Sequence, residues 1–302
     1  MRTIAFGYST QCNLRCGHCV AKGEIPDTST MDLGRAREII HEMAASKVKG
    51  ISFTAGEPLI FLNEINELVR LCHDLGIYTR IVTNSFWAPT RERADTVVKA
   101  LKKNGLCQLR LSYSRWHQQG LPPRNVVNAA ESCQTYGVDY FVSFVTDFSE
   151  QDDPHEAFLR ANALRFFPEP LIYSGRAASF DHGPLCTDFQ ANCCAMNPYL
   201  TPELDMYACC DAGSHFTDTQ VFFLGNLADN SVDGLFKASE TNRLFHLIRT
   251  AGITRLALFA GFTSRQIIRY RKCDLCRELF NDPATLKRLQ QAASENVNHW
   301  SR

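Results

Sequence analysis

Cys12-Asn13-Leu14-Arg15-Cys16-Gly17-His18-Cys19 sets three cysteines in a C-x3-C-x2-C spacing directly after the apolar segment Thr3–Ser9. Three thiolates on one short loop hold three corners of an iron–sulfur cube and leave one iron without a protein ligand, and an open iron is a reaction site. A zinc knuckle is the competing reading. It needs a fourth Cys or His to close a tetrahedron, and His18 is wedged between Cys16 and Cys19 in a turn where backbone direction limits its reach. A disulfide is a further alternative, but Met1-Arg2 runs straight into a strand-like segment with no signal-peptide pattern. Reduced thiols point to a cytoplasmic chain and to metal.

The 302 residues have room for one large α/β domain or a domain with an appendage. Lys plus Arg and Asp plus Glu each number 32, so the net charge of zero suggests neither a nucleic-acid groove nor a membrane-surface patch. No apolar run approaches the roughly 20 residues of a membrane-spanning helix. The informative quantity is thirteen cysteines, unevenly spread. Beyond the opening three, Cys72, Cys107 and Cys133 stand alone and read as small buried hydrophobes. Cys186, Cys193, Cys194, Cys209, Cys210, Cys273 and Cys276 crowd the C-terminal part too densely for that explanation.

The first two thirds alternate strand-like and helix-like segments at βα spacing. The strand candidates are Thr3–Ser9, Gly50–Thr54, Tyr78–Thr83, Cys107–Tyr113, Asp139–Val145 and Leu171–Ser174. Between them lie the amphipathic stretches Asp32–Ser46, Leu62–Leu75, Arg91–Asn104, Val126–Tyr136 and Pro154–Arg165. Thr30-Met31-Asp32 offers an N-cap, and Gly76 and Gly105 sit where helices should stop. This pattern predicts an α/β fold, a partial (β/α)6 TIM-type barrel, with chemistry collected at the C-terminal ends of its strands. The polar oddities fall there: the cysteine loop, then Thr54-Ala55-Gly56-Glu57-Pro58, Thr83-Asn84-Ser85-Phe86-Trp87, Ser112-Tyr113-Ser114-Arg115-Trp116-His117 and Ser174-Gly175-Arg176-Ala177.

The cysteine spacing after a first strand resembles the radical S-adenosylmethionine (SAM) superfamily. The resemblance implies a [4Fe-4S] cluster on Cys12, Cys16 and Cys19 whose open iron takes the amino and carboxylate groups of SAM. It also implies reductive cleavage of SAM to a 5′-deoxyadenosyl radical, fed by a low-potential donor of flavodoxin or ferredoxin type. The Thr54–Pro58 turn resembles the family's G-G-E-P motif with Ala55 for the first glycine, making Glu57 the partner of the SAM amino group. Thr83-Asn84-Ser85 resembles T-N-G with Ser85 for glycine, assigning Asn84 to the ribose. By the same resemblance Ser112 contacts SAM, and Arg176, in a G-R-A turn, pairs with a carboxylate. Phe86-Trp87 either floors the cavity or packs the core, and Trp116 and His117 either face substrate or shape the rim.

Past Ala178 the alternation stops. A cysteine-rich loop, Asp181–Thr201, precedes a predicted hairpin, Glu203–Cys209, a segment Phe222–Leu227, a helix from Val232 to about Ala251, a polar stretch, Cys273-Asp274-Leu275-Cys276 and a last helix, Pro283–Ser294. This order resembles the SPASM or twitch extension of radical SAM enzymes that modify peptides, and divides the chain into a barrel, 1–178, and an auxiliary iron–sulfur domain, 179–302. The resemblance implies a second, auxiliary [4Fe-4S] cluster on Cys193, Cys209, Cys273 and Cys276, with Cys194 or Cys186 as substitutes for the first and a structural zinc as the alternative. Adjacent residues of a strand point to opposite faces, so Cys209 can ligate while Cys210 faces elsewhere. N-x-F-W, Y-x-C-C and C-x2-C-x2-L-F together are similar to the epipeptide-type peptide epimerases, which invert L-residues of a ribosomally synthesised precursor peptide. That likeness makes Cys210 the thiol that returns a hydrogen atom. Oxidative cross-linking of a peptide and a non-catalytic metal scaffold are the rival readings.

Overall fold

A computed structural model describes residues 1–20, 28–181, 197–210, 219–268 and 270–295. Six parallel strands run β1 (Arg2–Gly7), β2 (Val48–Thr54), β3 (Tyr78–Thr83), β4 (Gln108–Tyr113), β5 (Asp139–Thr146) and β6 (Phe166–Pro170). The helices between them are α1 (Leu33–Ala45), α2 (Leu62–Asp74), α3 (Arg91–Lys103), α4 (Arg124–Tyr136) and α5 (Asp153–Ala161). The predicted α/β partial barrel is therefore present, as an open sheet rather than a closed ring.

The helices form where sequence periodicity and caps agree. In α1, Asp32 accepts the Arg35 amide, and Ala36, Ile39, Ile40 and Met43 fall on one buried stripe. Helices α2 and α3 repeat the stripe with Ile65, Leu68, Val69 and Cys72, and with Ala94, Val97, Val98 and Leu101. These side chains pack on Ile4, Phe6, Ile51, Phe53, Ile81, Leu109 and Leu111 of the sheet. Each fully buried aliphatic side chain contributes about 1.5–3 kcal/mol, so this outer layer holds the barrel together and leaves its inner face free to be polar.

Two strand and helix boundaries differ from expectation. The sixth strand is Phe166–Pro170, not Leu171–Ser174, which forms the turn after it. Phe166-Phe167-Pro168-Glu169-Pro170 reads poorly as a strand because proline lacks an N–H. At the sheet edge, where β6 pairs with β5 alone, the missing donors cost nothing. The helix expected from Val232 to Ala251 is two, α6 (Val232–Thr241) and α7 (Arg243–Ala251), broken at Asn242, whose side chain caps α7 through the Phe245 amide.

Strands β7 (Tyr199–Leu200), β8 (Asp205–Tyr207) and β9 (Phe223–Asn226) extend the same sheet beyond β1, giving the order β6-β5-β4-β3-β2-β1-β7-β8-β9. β7 is parallel to β1, and β7-β8-β9 are mutually antiparallel. Glu203–Cys209, expected to be a hairpin by itself, supplies only β8; its antiparallel partners are β7 before it and β9 after it, and Asn226 ties β9 to Asp205 and to the Glu203 carbonyl. Helices α7, α8 (Ile253–Phe259), α9 (Ser264–Ile267), α10 (Lys272–Asn281) and α11 (Pro283–Glu295) complete the described chain. A second core of Leu244, Phe245, Ile248, Leu256, Leu275, Leu279, Phe280 and Leu289 binds them, with Phe222 stacked on Phe245 at 5.6 Å. No helix among the described residues is long and apolar enough to cross a membrane.

Candidate functional site

Cys12, Cys16 and Cys19 line one cavity at the C-terminal ends of the parallel strands, together with Glu57, Asn84, Ser112, His117 and Arg176. Residues from four separate predicted strand-end turns meet the cysteine loop there. The loop's course is set by its neighbours. The Glu57 amide donates to the Gln11 carbonyl at 2.8 Å, and a side chain at Gly56 would collide with Gln11 and come within 2.7 Å of the Ser9 carbonyl. On the other flank the Arg176 amide donates to the Cys19 carbonyl at 3.2 Å, and a Cβ at Gly175 would lie 2.6 Å from that oxygen. Glycine is required at both places because backbone packs directly on backbone.

The donor set fits an iron–sulfur cluster. Burial, then the neighbouring Cys19 and Cys12 thiols, pushes Cys16 up to about 12. Thiols crowded this way deprotonate when a cationic cluster binds them and removes their mutual repulsion. No three His, Cys, Asp or Glu side chains among the described residues converge tightly enough to hold a single metal ion. His18, half-buried, lines the cavity beside the cysteines and packs on Trp116 at 5.0 Å and His117 at 4.6 Å, ring centroid to ring centroid. His117 in turn shares a 2.7 Å hydrogen bond with Ser114 Oγ.

Glu57 is 2 % exposed and its carboxylate is already engaged. It accepts from Asn84 N at 2.7 Å, Thr83 Oγ1 at 2.7 Å and Leu59 N at 3.1 Å. Burial still raises it to about 7 against those three hydrogen bonds. This geometry makes Glu57 the staple between the turns after β2 and β3, whatever else it meets. Asn84 faces the cavity with its amide donating to Asn13 Oδ1 at 2.9 Å, so it also orients the cysteine loop. Ser112 is half-buried on the cavity wall. Arg176 donates its Nε to the Cys16 carbonyl at 2.8 Å and lines the same wall.

Phe86 and Trp87 take the packing alternative. Trp87 is buried in the main core and donates to Thr83 Oγ1 at 2.9 Å, with Phe86 packed against the same core. Trp116 lies at the rim between Phe180, His18 and the Arg115 guanidinium, 4.1 Å above its ring. Arg115 itself binds Asp147 at 2.6 Å and Asp152 at 2.7 Å, and holds the Asp147 carboxyl well below the usual carboxylate range. Cys72 and Cys133 are fully buried and raised to about 12, first by burial, consistent with inert core thiols; Cys107 is half-buried.

Adjacent Cys209 and Cys210 diverge. Cys209 packs on the second core, which contains Cys276. Cys210 packs with Ala5, Ala55, Tyr199 and Tyr207, and lines a cavity of about 430 Å³ along the inner face of β1–β4. That cavity shares Thr54, Ala55 and Val82 with the wall of the cysteine cavity. Cys273 and Cys276 sit on the first turns of α10. Cys186, Cys193 and Cys194 lie outside the described residues.

Two inward-facing arginines, Arg80 and Arg110, also line the inner cavity. No motif marks them. The available signal was the period-2 pattern of Tyr78-Thr79-Arg80-Ile81-Val82 and Gln108-Leu109-Arg110-Leu111, which places both charges on one face of neighbouring strands.

A family model described as the Radical SAM superfamily matches residues 8–160. A curated protein named PqqA peptide cyclase, from Bradyrhizobium diazoefficiens, is 30% identical over 116 residues, 38% of this chain and 28% of that protein. The GTP 3′,8-cyclase of Chlorobaculum tepidum is 32% identical over 83 residues, 27% of this chain and 25% of that protein. The chain thus spans about a quarter of the length of these relatives. Among solved structures, anSMEcpe with bound AdoMet superposes with a TM-score of 0.59 at 14% identity, covering 97% of this chain and 99% of that one. BtrN in complex with AdoMet and 2-DOIA gives 0.53 at 15% identity, over 84% and 89%.

Proposed function

The chain belongs to the radical SAM superfamily, and from that premise we propose that it modifies a ribosomally made peptide by removing an α-hydrogen and returning one from the opposite face, converting an L-residue to its D-form. Cys12, Cys16 and Cys19 would hold the [4Fe-4S] cluster, and Asn84, Ser112 and Arg176 would hold SAM. Glu57 would fix the two turns that shape that pocket, with contact to the SAM amino group as its second assigned role. When bound, the cluster and SAM supply the hydrogen-abstracting radical.

The observation that carries the reading is Cys210 on the wall of the inner cavity, one residue from the half-buried Cys209 that packs on the second core instead. In the proposed step the Cys210 S–H bond breaks homolytically and its hydrogen atom closes the peptide α-carbon radical. The resulting thiyl takes one electron and one proton before the next turnover, the electron coming from the low-potential donor. Cys209, Cys273 and Cys276, with Cys193, are the proposed ligands of an auxiliary [4Fe-4S] cluster.

Replacing Cys210 by Ala and running the reaction in D2O with a precursor peptide tests this. The native enzyme should place solvent deuterium at each inverted α-carbon. The variant should still cleave SAM but form no D-residue, and undiminished deuterated D-residue would remove Cys210 from the role. Oxidative cross-linking is the second reading, favoured by the likeness to proteins named peptide cyclases. It removes a pair of hydrogen atoms per cross-link, whereas epimerisation in H2O leaves the product mass unchanged.

A further inference from the structure

The inner face of the barrel carries more charge than a packed lumen would, and the charges are not evenly matched. Arg110 is paired with Glu169 and donates to Ser143 Oγ at 3.1 Å. Asp139 is paired with Arg165. Arg80 differs. Its Nε donates to Gln108 Oε1 at 2.6 Å, the Tyr78 phenol lies beside it, and no carboxylate among the described residues forms an ion pair with it. Asp139 is shared between Arg165 and the amide of the same Gln108, so it lies one side chain away from Arg80, and Arg80 has no carboxylate of its own among the described residues.

The Arg80 charge is half-buried, with Phe141 below it: the guanidinium carbon lies 5.6 Å from the ring centroid. It shares the cavity of about 430 Å³ with Cys210 and Tyr199. A guanidinium held through Nε by a neutral amide keeps the planar fork that matches a carboxylate. Partial desolvation strengthens the attraction relative to a surface arginine.

We propose that Arg80 receives a carboxylate of the substrate, so that the peptide carries an acidic side chain, or its own C-terminal carboxylate, close to the residue presented to Cys210. This deepens the function proposed above and rests on the inner cavity being the substrate site.

The test needs no turnover. In the cluster-loaded enzyme at low salt, alkylation of Cys210 by anionic iodoacetate and by neutral iodoacetamide is followed by peptide mass mapping. In both reactions the thiolate attacks the methylene carbon and iodide leaves. Arg80 should raise the iodoacetate-to-iodoacetamide rate ratio at Cys210 roughly fivefold over that of free N-acetylcysteine amide in the same buffer. Arg80→Gln should abolish the difference and Arg80→Lys should keep most of it. A ratio equal to that of the free thiol, or unmoved in Arg80→Gln, would overturn the proposal. Slowing of the iodoacetamide reaction by Nα-acetylglutamate amide assigns the site to a side-chain carboxylate, and slowing by Nα-acetylglutamine assigns it to a chain end; slowing by neither counts against it. The outcome is independent of whether the chemistry is epimerisation or cross-linking, which the deuterium and mass measurements decide.

Discussion

Ser85 and Ala55 both hold φ at +65°, in the left-handed region that glycine enters without strain. Each stands where the resembled motifs carry glycine, so the two turns keep a glycine-type path with side chains that resist it. Ser85 bears a second cost, because it is fully buried and its hydroxyl finds no hydrogen-bond partner among the described residues. Ser85→Gly should therefore stabilise the protein by about 1–2 kcal/mol, measured as a raised midpoint in urea unfolding. Ala55→Gly relieves the same strain but loses a methyl packed against Ala5 and Tyr199, so it should be close to neutral. Equal effects at the two sites would show that backbone strain alone governs them. The cysteine spacing and both departures from glycine were legible in the sequence. That both turns retain positive φ, and that Glu57 is engaged by Thr83 and Asn84 across two strand ends, was not, because these contacts join residues 26 and 27 positions apart.

At the scale of the element, α10 carries Cys273 and Cys276 and is clamped to the barrel. Arg271, 6 % exposed, donates to the carbonyls of Leu171 at 2.5 Å, Asp147 at 3.1 Å and Thr146 at 3.4 Å. Asp274 accepts the Tyr173 amide at 2.8 Å. The helix bearing two proposed cluster ligands is thus fixed to the mouth of the barrel, beyond β5 and β6. Arg271→Ala should remove the donor to the Leu171 and Asp147 carbonyls, while Thr146 keeps the Leu171 amide, and cost about 2–4 kcal/mol. Hydrogen exchange should localise the loss, with faster exchange of α10 amides and of the Tyr173 amide and little change in α1–α3. Uniform acceleration would mean that Arg271 supports the whole fold rather than this joint. Sequence periodicity located α1–α3 well because each has an unbroken apolar stripe, and Asp32 and Thr90 cap α1 and α3. It misplaced β6, whose prolines are tolerated only because the strand is an edge, and it missed the break at Asn242, where a good cap interrupts continuous amphipathicity.

Across the whole molecule one nine-stranded sheet runs from the barrel into β7–β9, so the two cysteine groups are linked by a shared sheet as well as by α10. If both groups bind [4Fe-4S] clusters, the reconstituted chain should carry about eight irons. Cys273→Ala with Cys276→Ala should reduce this to about four while leaving SAM cleavage detectable. The triple replacement of Cys12, Cys16 and Cys19 by Ala should abolish cleavage and keep the other four. An unchanged iron content in the first variant would refute the auxiliary site. The sequence by itself determined the α/β alternation, the strand-end position of the turns and the opening cysteine loop, since periodicity, caps and short-range ligand spacing are local properties of a chain. Only the tertiary structure decided that Cys210 lines the inner cavity while Cys209 packs elsewhere, and that Arg80 has no carboxylate of its own there among the described residues. Both facts depend on the order and register in which distant strands pair, and that register is fixed by burial of the outer faces against the helices rather than by any motif in the strands themselves.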